Sequence, residues 1–524
     1  MMSNWSWRRK AGILGSVILA FIIITTFLCM NVFGSGYTKA SATQPPVVEA
    51  TDVSLPNYYL EHMVFQRNKP LAVRGVTNRN ATLSITIGDD SKQSSKTVTA
   101  DKTGAFTAEL DPLPARLKPY TLTITSGDRT LTKISEIYVG DVFVVSGQSN
   151  MEVNYDMYYG KESVRQANMH DAFTEEDLPE TISDANVHFL IADRVSGDSA
   201  EDTDLPLTDY EHGAWLEATR DNAKHLSYLA QFFAEELRDY DDSVPIGILQ
   251  TAWGGSAIKK HMQGGDIFNT HIAPLQGFNI GAVLWYQGEA EAGNPSDVAS
   301  YSTNFVTLIN QYRSVFDDVN LPFLYVQLTR YAADVDTQGI RQAQLDALRA
   351  AGTPKNVAMT VSIDSDKGTS AVIHPLGKDI LAYRMAKQWE AIQAKKTVPE
   401  SPLAEDASYI AGDKTAAIVR FRENTGKGLH TMSPRYSTDA TPTHVADETD
   451  GELQGFEVAG PDGKFKSASA SIVGDNAIVV SADGVDEVTQ VRYLWSSNPS
   501  SNVLLYNHWD LPASPFRISV SDNG

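Results

Sequence analysis

The chain has 524 residues, a formal net charge of -22 at pH 7 and an apolar fraction of 42%. That length exceeds one ordinary core and implies about two to four domains. The acidic balance provides no basic field for phosphates and argues against nucleic acid as a partner, and the globular composition argues against wholesale disorder.

At the N-terminus, Arg8, Arg9 and Lys10 precede an uncharged run from Ala11 to Phe33. A basic flank is retained in the cytoplasm, so the remainder is expected to be exported to the cell surface or the medium. Residues 1–35 read as a signal peptide or a membrane anchor. The run is long enough to span a bilayer, and Ala40-Ser41-Ala42 resembles a late cleavage site. The membrane is a partner only if the leader stays uncleaved. Cys29, the one cysteine, lies inside this leader, which leaves the rest of the chain without a disulfide or a thiolate metal site.

Residues 36–55 read as a linker. Residues 56–139 alternate apolar and polar positions, as in Leu83-Ser84-Ile85-Thr86-Ile87 and Tyr120-Thr121-Leu122-Thr123-Ile124, and predict a small N-terminal β-sandwich. Residues 140–398 change character. Strand runs at 142–145, 246–249, 281–286, 321–328 and 357–363 alternate with helical periodicity at 226–237, 301–316, 340–350 and 378–394. This alternation predicts an α/β domain with a parallel sheet. Residues 152–222 fit it poorly and read as an acidic insertion or long loop. Residues 399–524 return to short strands and predict a C-terminal β-rich domain. The eleven histidines are scattered, none in a helical pair with a glutamate, so no metal or cofactor is expected.

The strongest local signal is Gly140-Asp141-Val142-Phe143-Val144-Val145-Ser146-Gly147-Gln148-Ser149-Asn150-Met151. A buried strand ends, a glycine permits a tight turn, and Ser149 opens the next element. A serine there either caps a helix or presents its hydroxyl beyond the carboxyl end of a strand, where α/β proteins bind ligands.

Gly147-Gln148-Ser149-Asn150-Met151 resembles the first signature block of the sialate O-acetylesterase-like branch of SGNH hydrolases. Trp253-Gly254-Gly255-Ser256 resembles the second block, Leu284-Trp285-Tyr286-Gln287-Gly288-Glu289 the third, and Ile373-His374-Pro375 with Lys378 the last, all in the family's order. The resemblance spans about residues 56–518, from Met63-Val64-Phe65-Gln66-Arg67 to Ser514-Pro515-Phe516. It implies an SGNH, flavodoxin-like catalytic domain flanked by β-rich domains, acting as an esterase on acetylated carbohydrate. Ser149 would be the nucleophile and His374 the general base. The N–H groups of Ser149 and of Gly254 or Gly255 would bind the oxyanion.

Two positions depart from that pattern. Glu291 stands where the family commonly offers an asparagine to the oxyanion, with Asn294 as a displaced substitute. Ala371 stands where many relatives carry the acid of the triad. Asp364 is the favoured acid, with Asp366 and Glu289 as alternatives. Gln148, Gln287, Glu289 and Glu291 are candidates to line the substrate site, and Trp253 and Tyr286 either stack on sugar or pack in the core. Lys259, Lys260 and His261 either meet a sugar carboxylate or form a solvated helix face. Other readings of the chain are an acetylxylan or polysaccharide deacetylase, and a carbohydrate-binding surface protein on a weakened esterase scaffold.

Overall fold

The computed structural model describes residues 47–159, 173–192, 205–350, 355–367, 370–410 and 412–522. The leader read at residues 1–35 lies outside them, as does most of the linker. Among the described residues no helix is long and apolar enough to cross a membrane.

One twelve-stranded sheet organises the N-terminal and central regions. Its antiparallel part contains β1 (Ala81–Gly88), β2 (Arg116–Ser126) and the first half of β3 (Arg129–Gly147). Its parallel part runs in the spatial order β4 (Asp184–Ile191), β5 (Ile246–Gln250), β3, β6 (Ala282–Tyr286), β7 (Phe323–Val326) and β8 (Val357–Thr360). β3 belongs to both parts: Ile134 pairs with Leu122 of β2, and Val142–Val145 pair with Gly247–Gln250 of β5. The boundary expected at 139–140 therefore falls inside a single strand.

The parallel strands are apolar along their whole length because both faces are covered. Phe143 meets Phe233 of α2 (Tyr228–Tyr240) and Trp389 of α5 (Lys378–Gln393), each in an edge-to-face contact. Three residues on, with the strand's alternation reversed, Ser146 lies 3.3 Å from the hydroxyl of Tyr312 in α3 (Pro295–Val315). Helices thus cover the sheet on both sides. Local chemistry fixes where they start. Ser227 caps α2, Asn294 caps α3 with Pro295 in its first turn, and Asp336 caps α4 (Thr337–Arg349). Asn294, weighed above as an oxyanion donor, is thereby occupied as a helix cap.

The region 152–222 is more than a loop. Its residues 184–191 form β4, which joins β5 in parallel, and Leu216–Ala218 pair antiparallel with β4 at the sheet edge. Between them they extend the sheet on the side of β5. Beyond residue 399 the chain forms three further sheets of four, three and four strands. They are tied to the carboxyl ends of the parallel strands: Arg341 donates to the carbonyls of Ser496 and Ser497, Arg330 to that of Pro499, and Gln327 to the hydroxyl of Ser514.

Candidate active site

β3 has β5 on one side and β6 on the other: the chain leaves β3 toward β4, returns to β5 beside it, and then crosses to β6 on the opposite side. Such a reversal opens a crevice for a ligand. Gly147 ends the strand at φ +133°, and a Cβ there would lie 2.2 Å from the carbonyl oxygen of Tyr286. Only glycine fits, so the chain turns at once into α1 (Ser149–Glu152). Ser149 is its first residue and is buried. The second block lies against it: a Cβ built on Gly254 would stand 3.3 Å from the Cβ of Ser149.

The last block arrives through Asn150. Its Nδ2 donates to the carbonyl of Ile373 at 2.9 Å and to Glu289 Oε1 at 2.5 Å, while its Oδ1 accepts from Lys378 Nζ at 2.7 Å. Every hydrogen-bonding position of this amide used here is matched, which fixes its orientation. Ser149 precedes the clamping residue and His374 follows the clamped one, so the bond ties the serine turn to the backbone of the histidine loop, with no hydrogen bond between Ser149 and the ring of His374. The hydroxyl of Tyr158 holds the backbone of the same loop, donating to the carbonyl of His374 at 2.9 Å.

The electrostatics follow from burial. Both ring nitrogens of His374 are out of solvent and without a hydrogen-bond partner among the described residues. Burial, reinforced by the neighbouring Lys378, pushes the imidazole down to about 3, so the ring is neutral near pH 7. Burial also pushes the carboxyl of Glu289 up to about 7, and the ammonium of Lys378 down to about 7 against the pull of Glu289. Lys378 also lies 5.3 Å from the centre of the Tyr286 ring.

Asp364 is not placed to orient His374. Its two oxygens accept from Nη1 and Nη2 of Arg384 at 2.8 Å each, and Oδ2 also accepts from the hydroxyl of Tyr506 at 3.0 Å. No hydrogen bond joins Asp364 to His374, whose ring nitrogens have no partner among the described residues. Asp366 pairs with Arg330 at 2.7 Å. Glu289 reaches Asn150 rather than the imidazole.

The other expected residues divide in the same way. Glu291 is buried and points inward: Oε1 accepts from the N–H of Ile258, and Oε2 from Gln287, both at 2.6 Å. It caps the turn at 258–261 and does not face the oxyanion. Gln148 accepts from the N–H groups of Gly288 and Ala290, and Gln287 bridges Gln148, Ser256 and Glu291. These side chains, with the fully buried Tyr286, form the scaffold beneath the turn rather than a sugar-facing wall. Trp253 remains half-exposed beside the turn, its N–H donating to the carbonyl of Gly147. Lys259 and Lys260 are exposed and paired with Asp297 and Asp266, and His261 is buried 2.7 Å from the hydroxyl of Ser256.

Glu152 escaped the sequence reading. Its Oε2 accepts from the N–H of Gly254 at 2.6 Å, so of the two glycines expected to bind an oxyanion, Gly254 already spends its donor on a carboxylate. Gly255, at φ +71°, has nothing within 4 Å of where a Cβ would stand and opens to solvent. The available signal was the spacing: Glu152 lies three residues after Ser149 and so on the same face of a helical turn. Among the described residues no group of three or more His, Cys, Asp or Glu side chains gathers to hold a metal.

Residues 139–386 match a family described as carbohydrate esterase, sialic acid-specific acetylesterase. The chain is 24% identical to a human sialate O-acetylesterase over 529 residues, covering 89% of this chain and 93% of that protein. It is 25% identical to the mouse sialate O-acetylesterase, covering 89% of this chain and 94% of the other. A carbohydrate acetylesterase from Xanthomonas citri superposes with a TM-score of 0.71 at 29% identity, covering 90% of this chain and all of that one.

Proposed function

Since residues 139–386 belong to the carbohydrate esterases of the sialic acid-specific acetylesterase family, we propose that the chain removes acetyl groups from sugar with Ser149 as nucleophile and His374 as its base. The observation that carries this assignment is the Asn150 clamp, which brings the serine turn and the histidine loop to one place.

The steps follow from the side chains. As Ser149 Oγ bonds to the acetyl carbon, its proton passes to a ring nitrogen of His374 and the carbonyl electrons move onto oxygen. The N–H groups of Ser149 and Gly255 meet that oxyanion, and Gly254 joins them when its N–H is released by Glu152. Collapse breaks the bond to the sugar oxygen, which takes the proton from His374. Water then attacks the acetyl-enzyme by the reverse proton transfers, releasing acetate and restoring both residues. His374 works as half of a pair, with no carboxylate hydrogen-bonded to its ring among the described residues. Its orientation comes from the loop that Asn150 and Tyr158 hold.

Trp253 is half-exposed beside the turn and is read as the surface on which the sugar ring rests. The SGNH assignment of the central domain, the β-rich domains flanking it, and export through the leader at residues 1–35 belong to the same reading. Reversal of strand order at β3 supports the first of these.

The test is acetate release from O-acetylated sialic acids, acetylated xylan and p-nitrophenyl acetate by the full chain and by Ser149→Ala. The expected outcome is turnover of the sialate esters and the chromogenic ester by the wild type, and loss of both in the variant. Equal rates from the two proteins would remove Ser149 as nucleophile. Faster release from xylan than from sialate would move the substrate to plant polysaccharide.

A further inference from the structure

A concave site lies at the edge of the sheet opposite Ser149. In a β–α–β unit the helix starts at the carboxyl end of one strand and returns to the amino end of the next. The ends of α2 and α5, Tyr240 and Gln393, therefore lie at the amino edge, while Ser149 and Lys378 lie at the carboxyl edge. Between these helix ends and the loop at 507–511 is a cavity of about 380 Å³. That volume is within the range of small-molecule sites, about 300–1,000 Å³.

Its walls carry three aromatic residues from three separate elements: Tyr240 from α2, Tyr383 from α5 and Trp509 from the loop. They are not core residues. Tyr240 is 62% exposed, and Tyr383 and Trp509 are half-exposed. Large rings left in water around a concavity mark a binding surface more often than a packing one. Lys387 lies between two of them, 5.4 Å from the ring centre of Tyr383 and 5.9 Å from that of Tyr240.

Trp509 is held in advance of any ligand. Asn507, fully buried, donates to the carbonyls of Glu400 and Thr425 at 2.7 and 2.8 Å. Its own oxygen accepts from the N–H groups of Trp509 and Leu511. The ring of His508 packs 4.1 Å from that of Trp509. A loop whose backbone is held in this way loses little freedom when Trp509 stacks on a ligand.

The charges in the cavity narrow the ligand. Lys387 pairs with Glu390 at 2.9 Å, and Arg384 with Asp364 at 2.8 Å, so both present compensated donors and acceptors, while Lys396 adds a further ammonium to the wall. Flat aromatic faces with a neutralised donor–acceptor pair between them suit a neutral sugar, which offers apolar C–H faces to rings and hydroxyls to an ammonium and a carboxylate.

We propose that this cavity is a non-catalytic site for a neutral segment of glycan, gripped by Trp509, Tyr240 and Tyr383, which tethers the enzyme to the polymer carrying its acetylated sugars. The ligand class rests on the carbohydrate-esterase reading; the site itself rests on the geometry at the amino edge.

The test uses the full chain, Trp509→Ala and Tyr240→Ala. Binding of neutral β-linked tetrasaccharides of glucose, xylose and galactose is measured by titration calorimetry, with sialyllactose as the charged arm. Hydrolysis of p-nitrophenyl acetate is followed in the same preparations. The expected result is binding of at least one neutral tetrasaccharide that weakens by about tenfold or more in each variant, with p-nitrophenyl acetate turnover unchanged. Tyr240 is mostly exposed, so Tyr240→Ala keeps the fold if Trp509→Ala does not. Unaltered binding in both variants, binding of sialyllactose alone, or no binding by the wild type would overturn the proposal. Absence of ester turnover in the wild type would instead overturn the esterase reading, and the binding result would stand apart from it.

Discussion

Two buried polar clusters sit near the carboxyl edge of the sheet, and both involve α5. In one, Asp364, Arg384 and Tyr506 join the sheet to the C-terminal region, with both carboxylate oxygens paired. In the other, Asn150, Glu289 and Lys378 join the Ser149 turn to the His374 loop, but Glu289 Oε2 and both nitrogens of His374 have no partner among the described residues. A buried group without a partner costs stability, roughly 1–3 kcal/mol. A closed cluster holds a fold together, and one left open holds groups ready for a ligand or a proton. By that criterion Asp364 is structural, and the open cluster is the one the proposed mechanism uses.

The sharpest way to break this contrast is through the two clusters' own residues. His374→Ala should lower kcat/KM by about 10²–10⁴ with little change in melting temperature, since it removes a proton acceptor and no satisfied bond. Asp364→Asn should do the reverse, lowering stability by about 3–5 kcal/mol in denaturant unfolding because Arg384 is left buried beside a neutral partner. The activity of the fraction that stays folded should be close to that of the wild type. A large loss of kcat in well-folded Asp364→Asn, with an altered pH profile, would return Asp364 to the catalytic set.

Asn150→Ala falls between these. It should reduce kcat/KM by about tenfold to a hundredfold, since the histidine loop loses its clamp while both reacting groups remain. A KM effect alone would show that the clamp does not set the serine–histidine geometry.

Glu289 gives a pH test. Burial holds its carboxyl at about 7 against an ordinary 4.5, so between those values the folded protein keeps a proton that the unfolded chain releases. Its contribution to stability is present below pH 4.5 and is lost as pH rises to 7. Lys378, lowered from 10.5 to about 7, acts in the opposite direction above pH 7. The neutral histidines His188, His261 and His374, each lowered from 6.5 to about 3, make the fold lose stability as pH falls through that window. Melting temperatures of wild type and Glu289→Gln between pH 4.5 and 7 isolate the carboxyl: the wild type should lose ground to the variant as pH rises. Parallel curves would mean that Glu289 is ionised throughout.

The smallest effect concerns Glu152. Replacing its carboxylate by an amide weakens the bond that occupies the Gly254 N–H and removes a negative charge near the oxyanion. Glu152→Gln should raise kcat about threefold. A fall would show that Glu152 instead positions the second block.

The order of most central strands and helices and the turn at Gly147 were legible from the sequence, as was the resemblance to sialate O-acetylesterases, while β4 and the cap role of Asn294 were not. What was legible rests on interactions among near neighbours: periodicity and a glycine's freedom at positive φ. The partners of charged side chains were not. Asp364 finds Arg384 twenty residues on and Tyr506 from the far C-terminal region, and Glu291 turns inward to cap Ile258. Gln148 and Gln287 lie in the catalytic blocks yet face the scaffold, because the strand ends they follow pack against each other. Nor did the sequence place Tyr240, Tyr383 and Trp509 around one cavity. Which buried charge pairs with which, and which rings share a concavity, depends on contacts between residues far apart in the chain, and only the packed sheet and its helices decide those contacts.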